Sequence, residues 1–100
     1  MNIYKIKNTR PLDYDMYESA VVVAENERDA RLFHPAYGWN KTFSVISAIT
    51  GDMVEKHWYD MKDKYRDEWC SPHQLEVELI GIADPKYTEP TIIETSFTGG

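Results

Sequence analysis

The chain has 100 residues, of which 42% are hydrophobic and 28% charged, with Gly and Pro at 5 each and a formal charge of -6. That length holds one domain, 1–100, and that composition belongs to a folded chain, which excludes large multidomain enzymes, disordered tails and collagen-like repeats. Acids outnumber bases by 17 to 11, so an extended phosphate backbone meets a repulsive field and no direct nucleic-acid contact is expected.

The first segment, Asn2 to Lys7, sets Tyr4 and Ile6 on one face and Ile3, Lys5 and Lys7 on the other, the alternation of a half-buried strand ended by Arg10-Pro11. A polar stretch from Leu12 to Glu18 leads into Ser19-Ala20-Val21-Val22-Val23-Ala24. This apolar, valine-rich run without alternation predicts a central strand. Asn26 can cap a short helix whose first turn carries Glu27 and Asp29, and Pro35 disfavours helical geometry at His34, so the helix is expected over 27–33 with Ala30 and Phe33 docked on the sheet.

Tyr37-Gly38-Trp39-Asn40 reads as a turn, and Phe43 and Val45 alternate with polar neighbours as in a strand over 42–49. Val54, Trp58, Met61, Tyr65 and Trp69 then fall at steps of four, three, four and four, which predicts one amphipathic helix over about 53–69 in preference to a hairpin turned at Thr50-Gly51-Asp52. After Ser71-Pro72, Leu75, Val77 and Leu79 alternate with Glu76 and Glu78 in a strand, and Gly81 falls where the pattern switches faces, as at a bulge. Thr91 to Phe97 supplies the last strand. The sum is an α+β domain, a small, mostly antiparallel sheet of about four strands with the two helices on one face.

Chemical motifs are sparse. The five glycines form no phosphate cradle, and no nucleophile elbow or His-Glu-x-x-His helix occurs. Asp13-Tyr14-Asp15 starts like a calcium loop but lacks its glycine and distal acid. Cys70 and His73 have the gap of a metal-ligand pair, with His57 or His34 as a third donor, and the same pair could lower a thiol pKa for nucleophilic chemistry. The plainer reading of Cys70 is a small core residue, and no metal or cofactor is expected. One cysteine allows no internal disulfide and suits a reducing, cytoplasmic setting; no signal-peptide pattern opens the chain, and no run reaches the roughly 20 apolar residues of a membrane span.

Contact residues are easier to nominate than reactive ones. Tyr14 and Tyr17 lie in a polar loop and Tyr37 and Trp39 in a turn, where amphipathic rings serve as interface anchors, whereas Trp58 and Trp69 belong to the buried stripe. Residues 70–100 carry five acids and one base, so Glu76 and Glu78, joined by Glu94 if the last two strands pair, form an acidic face able to attract a basic surface. The plainer reading is a solvated sheet face.

Several phrases together resemble a group of small bacteriophage-encoded proteins with no assigned chemistry: Tyr14-Asp15 and Tyr17 through Glu25, Ala30-Arg31, His34-Pro35, Trp69-Cys70-Ser71-Pro72, Glu78 with Ile80-Gly81 and Ala83, and the ending Ser96 to Gly100. The resemblance covers residues 3–38 and 69–100 and leaves 40–68 as a family-variable insertion. It implies a phage context, in which a short, acidic, non-enzymatic protein binds and inhibits a host protein, such as a nuclease or a CRISPR-type immune effector, in the host cytoplasm. The alternatives are a virion-assembly accessory and a small metal protein or enzyme using Cys70 and His73. Oligomeric state is not legible.

Overall fold

The computed structural model describes residues 1–12, 15–50 and 53–98, and for residues 47–50, 53 and 98 the backbone alone. Asn2–Asn8 (β1) and Met16–Ala24 (β2) pair antiparallel at the centre of a four-stranded sheet, with Leu75–Ile82 (β5) outside β1 and Thr91–Thr98 (β6) outside β2. The expected α+β architecture is therefore present, with every strand pair in this sheet antiparallel. Between β2 and β5 lie a short helix, Glu27–Ala30 (α1), a two-residue hairpin of Phe33–His34 (β3) with Gly38–Trp39 (β4), and three helices, Lys41–Thr50 (α2), Met53–Tyr59 (α3) and Asp63–Asp67 (α4).

The alternation in β1 explains which face the helices cover. Tyr4 and Ile6 oppose Val22 and Ala20 on one side and Leu79 and Val77 on the other, so these residues share the helix-facing surface. There Tyr4, Ile6, Ala20 and Val22 join Ala30, Phe33, Phe43, Val54, Trp58, Trp69 and Cys70 in one buried cluster, with Val77 packed against it and Leu79 left exposed near the sheet edge. Lys5 and Lys7 point the other way, in register with Glu78 and Glu76. A bulge falls opposite Ile3 and Tyr4, where Gly81 and Leu79 are the partners and Ile80 is the extra residue, as the pattern switch near Gly81 implied.

Three sequence expectations need correction. Asn26 does cap the first helix, its side-chain oxygen accepting from the Asp29 N–H at 2.9 Å, but the helix ends at Ala30 and does not run to 33. Pro35 demands extended backbone at His34, and Phe33 and His34 satisfy it by pairing with Trp39 and Gly38. Gly38, at φ +83, takes the left-handed position that closes this hairpin.

Residues 42–49 are helical, not a strand. Asn40 starts the helix: its side-chain oxygen accepts from the Phe43 N–H at 3.0 Å and its carbonyl from the Ser44 N–H at 3.1 Å. Phe43 and Ile46, three apart, meet the core, while Val45 is exposed. The stripe of Val54, Trp58, Met61, Tyr65 and Trp69 does face the core, yet the single helix over 53–69 is two, because Lys62 is extended at ψ 150. Arg66 repairs the break by donating from Nε to the Met61 carbonyl at 2.9 Å. The competing hairpin is absent from this segment, and its turn at Gly51-Asp52 lies outside the described residues. Phe43, Val54 and Trp58 tie helices α2 and α3 into the core.

Phe33 is buried at the junction of α1, the small hairpin and the sheet. Phe33→Ala should lower unfolding free energy by about 3–5 kcal/mol, read from urea denaturation with an unchanged denaturant slope.

Candidate functional site

The His-Pro step at 34–35 organises a connected aromatic group among the described residues. His34 is fully buried. Its Nδ1 faces the Ala36 N–H at 3.0 Å, which can only donate, so Nδ1 accepts and the ring proton lies on Nε2, which donates to the Tyr65 carbonyl at 2.7 Å. Protonation would set a second N–H against that of Ala36 and would place a charge in the core. Burial accordingly pulls the His34 pKa from 6.5 down to about 4, against the raising effect of the Tyr65 carbonyl.

Around this ring the centroids of Tyr65, Tyr37 and Tyr17 stand at 4.4, 4.8 and 6.3 Å. Tyr37 stacks on Tyr65 at 5.4 Å, and Tyr17 touches Phe97 of β6 at 4.6 Å. The Tyr65 hydroxyl accepts from the Asn40 side chain at 3.2 Å, and burial raises its pKa despite that bond. Each ring is placed by a different element: Tyr17 by β2, His34 by β3, Tyr37 by the hairpin loop, Tyr65 by α4 and Phe97 by β6. Backbone bonds hold them, with the Tyr17 N–H donating to the Glu68 carbonyl at 2.9 Å and Arg10 donating to the carbonyls of Arg66 and Trp69 at 3.0 and 2.6 Å.

The outer part of this group is open. Tyr37 is 53% exposed and Phe97 45%, with Tyr17 half-buried between them. Beside Phe97 an open depression of about 540 Å³ is lined also by Asp15, Lys64, Asp67 and Glu68, giving the aromatic surface a rim with an excess of carboxylates. Asp15 holds its position there with φ 61, a left-handed conformation that aspartate tolerates better than most residues.

The sequence-nominated contacts thus divide. Tyr17 and Tyr37 come together through His34. Trp39 packs half-buried against the core, and its indole N–H is buried with no acceptor among the described residues, so its polar edge is turned inward. Tyr14 lies outside the described residues. Glu76 and Glu78 are exposed on the opposite side of the sheet. The expectation that Glu94 joins them by pairing of the last two strands is corrected: β5 and β6 occupy opposite edges. Glu94 still shares their face, in the row Glu78, Lys5, Val21, Glu94 across the four strands. Phe97 and Tyr65 escaped nomination because each fits an ordinary strand or helix stripe; the signal available for them was only the aromatic content of the chain.

Cys70 and His73 are not brought into one site. The Cys70 thiol is fully buried, and burial pushes its pKa from 9.0 up to about 11 although a Thr9 backbone bond and Arg10 oppose this. His73 is exposed and faces Glu55, Nδ1 to Oε1 at 3.5 Å. Both nitrogens of His34 are already engaged. Among the described residues, no three of His, Cys, Asp and Glu are grouped to hold a metal ion. Comparison with protein-family models, with curated proteins and with solved structures finds no match. No helix of the described residues is long and apolar enough to cross a membrane.

Two measurements check this electrostatic account. The unfolded chain binds a proton at residue 34 as pH falls through 6.5, whereas the folded chain does not until about 4, so the His34 contribution to stability should be level from pH 8 to 6.5 and fall between 6.5 and 4 by about 3 kcal/mol. Denaturation curves between pH 4 and 8 read the fall, and the His34 ring resonance should titrate near 4. Native Cys70 should resist a thiol reagent at pH 8 and react at once in denaturant, since neither a thiolate nor access is available in the fold.

Proposed function

We propose that this chain is a non-enzymatic binding module whose working surface is the exposed aromatic group of Tyr17, Tyr37 and Phe97 with its carboxylate rim. The observation that supports the reading is the exposure of Tyr37 and Phe97 above the hydrogen-bonded His34 ring. Rings of this kind bury large area at little entropic cost, because their orientation is set before a partner arrives. Asp15, Asp67 and Glu68 favour a basic partner surface, since a guanidinium can stack on Phe97 and meet a carboxylate at the same time.

The resemblance to small phage-encoded proteins supplies the setting for this reading: an accessory protein in the host cytoplasm that occludes a host protein, with a nuclease or CRISPR-type effector as the partner class. Its positively charged nucleic-acid groove would offer the basic surface required. Inhibition would then be stoichiometric and would need no turnover.

Capture from a host lysate with immobilised wild-type chain should recover one protein in fixed ratio. Tyr37→Ala combined with Phe97→Ala should cut that recovery about tenfold, as for hot-spot aromatics, with thermal unfolding still cooperative. Glu94→Lys, on the far face of the sheet, should leave recovery unchanged. Equal recovery by the aromatic variant and the wild type would sink the reading.

A further inference from the structure

Independently of the aromatic surface, we propose that the outer edge of β5 accepts an extended, basic segment of a partner protein as an additional strand of the sheet. β5 is eight residues long and is bonded to β1 on one side only, which leaves its other row of backbone groups without a strand partner among the described residues. The start of that edge is closed: Arg31 donates to the carbonyls of Pro72 and Leu75 at 3.1 and 2.8 Å, and its charge is matched by Glu27 at 2.8 Å. From Glu76 onward it is open. Leu79 is 61% exposed, Ile80 48% and Ile82 84%, three aliphatic chains within four positions of an uncovered strand.

Edge strands are ordinarily blunted by lysine, proline, a covering element or a bulge. β5 contains neither lysine nor proline, and its bulge at Ile80 leaves the aliphatic chains in solvent. What covers the edge is indicated by charge. The strand carries Glu76 and Glu78 and no base. Side chains of an added strand would lie about 5 Å from these carboxylates, whereas Lys5 and Lys7, one strand further in, would be about 10 Å away, roughly a Debye length at physiological salt. The new strand therefore senses the acids first. A second copy of β5 would instead bring two acidic, base-free strands together.

The fitting segment alternates basic with aliphatic residues. Its bases lie beside Glu76 and Glu78, and its aliphatic chains meet Leu79 and Ile82 on the Tyr4 side of the sheet, where period two separates the two sets.

The test uses the isotope-labelled full chain and an acetylated, amidated eight-residue peptide of alternating lysine and valine, matched to β5 in length. Saturable amide shifts and slowed amide exchange should concentrate in Glu76 to Ile82. The matched glutamate–valine peptide should bind about tenfold more weakly, and the Glu76→Lys, Glu78→Lys double variant should reverse that order. Ile82→Lys, which removes no packing because this side chain lies in solvent, should weaken the lysine peptide while the unbound spectrum stays native. The proposal is overturned by absence of shifts at about 1 mM peptide, by shifts that map to Tyr37 and Phe97, by equal affinity of the two peptides, or by concentration-dependent pairing of the peptide-free chain through β5. Apart from shifts at Tyr37 and Phe97, these results do not bear on the aromatic surface, which the Tyr37 and Phe97 variants test separately.

Discussion

A buried imidazole that uses both nitrogens on backbone partners is the constraint on which the helical layer turns. His34 reaches the Ala36 N–H on one side and the Tyr65 carbonyl on the other, and so ties the small hairpin to the last helix across 31 residues of chain. Each bond fixes the tautomer needed for the other. Losing the ring would remove both bonds at once and leave a cavity in the core where the buried imidazole stood. With the ring held, Tyr17, Tyr37 and Tyr65 have a common wall to pack on, and Phe97 extends the group across β6. The exposed aromatic surface is thus a consequence of a buried polar contact.

The sheet separates two chemistries. Its helix side bears the aromatic group and the carboxylates beside Phe97, and its other side bears a flat row of acids and lysines in which Lys5 and Lys7 face Glu78 and Glu76. Opposition between neighbouring strands reduces the long-range field of those glutamates, so an acidic total understates how local the attraction for a basic partner must be. At the β5 edge the same glutamates have a lysine on one side only, and there the balance tips toward an incoming base. Cys70 and His73, the pair whose spacing suggested metal or thiol chemistry, stand apart, one sealed in the core and the other beside Glu55 at the surface.

Alternation and spacing made much of the fold legible. Strands β1, β5 and β6, the valine-rich β2, the Asn26 cap and the bulge by Gly81 follow from local pattern because each depends on residues a few positions apart. The stripe from Val54 to Trp69 was legible as a face and not as an element, since periodicity survives a break at Lys62 that keeps the same side turned inward. Residues 42–49 read as a strand because Phe43 and Val45 mimic alternation, while the decisive signal is a single cap at Asn40. Of the candidate site, Tyr17 and Tyr37 could be nominated from their polar surroundings, but nothing in their spacing tells that both touch His34.

What the sequence determined by itself was the class of the domain and the inward faces of its strands, both of which rest on local periodicity and residue chemistry. Only the tertiary structure decided that β5 and β6 stand at opposite edges, that Phe97 reaches Tyr17, and that His34 lies at the centre of the aromatic group rather than on a helix face. Those outcomes depend on contacts between residues far apart in the chain, whose free energy comes from shared burial and from satisfying buried polar atoms together, and no window of neighbouring residues contains it.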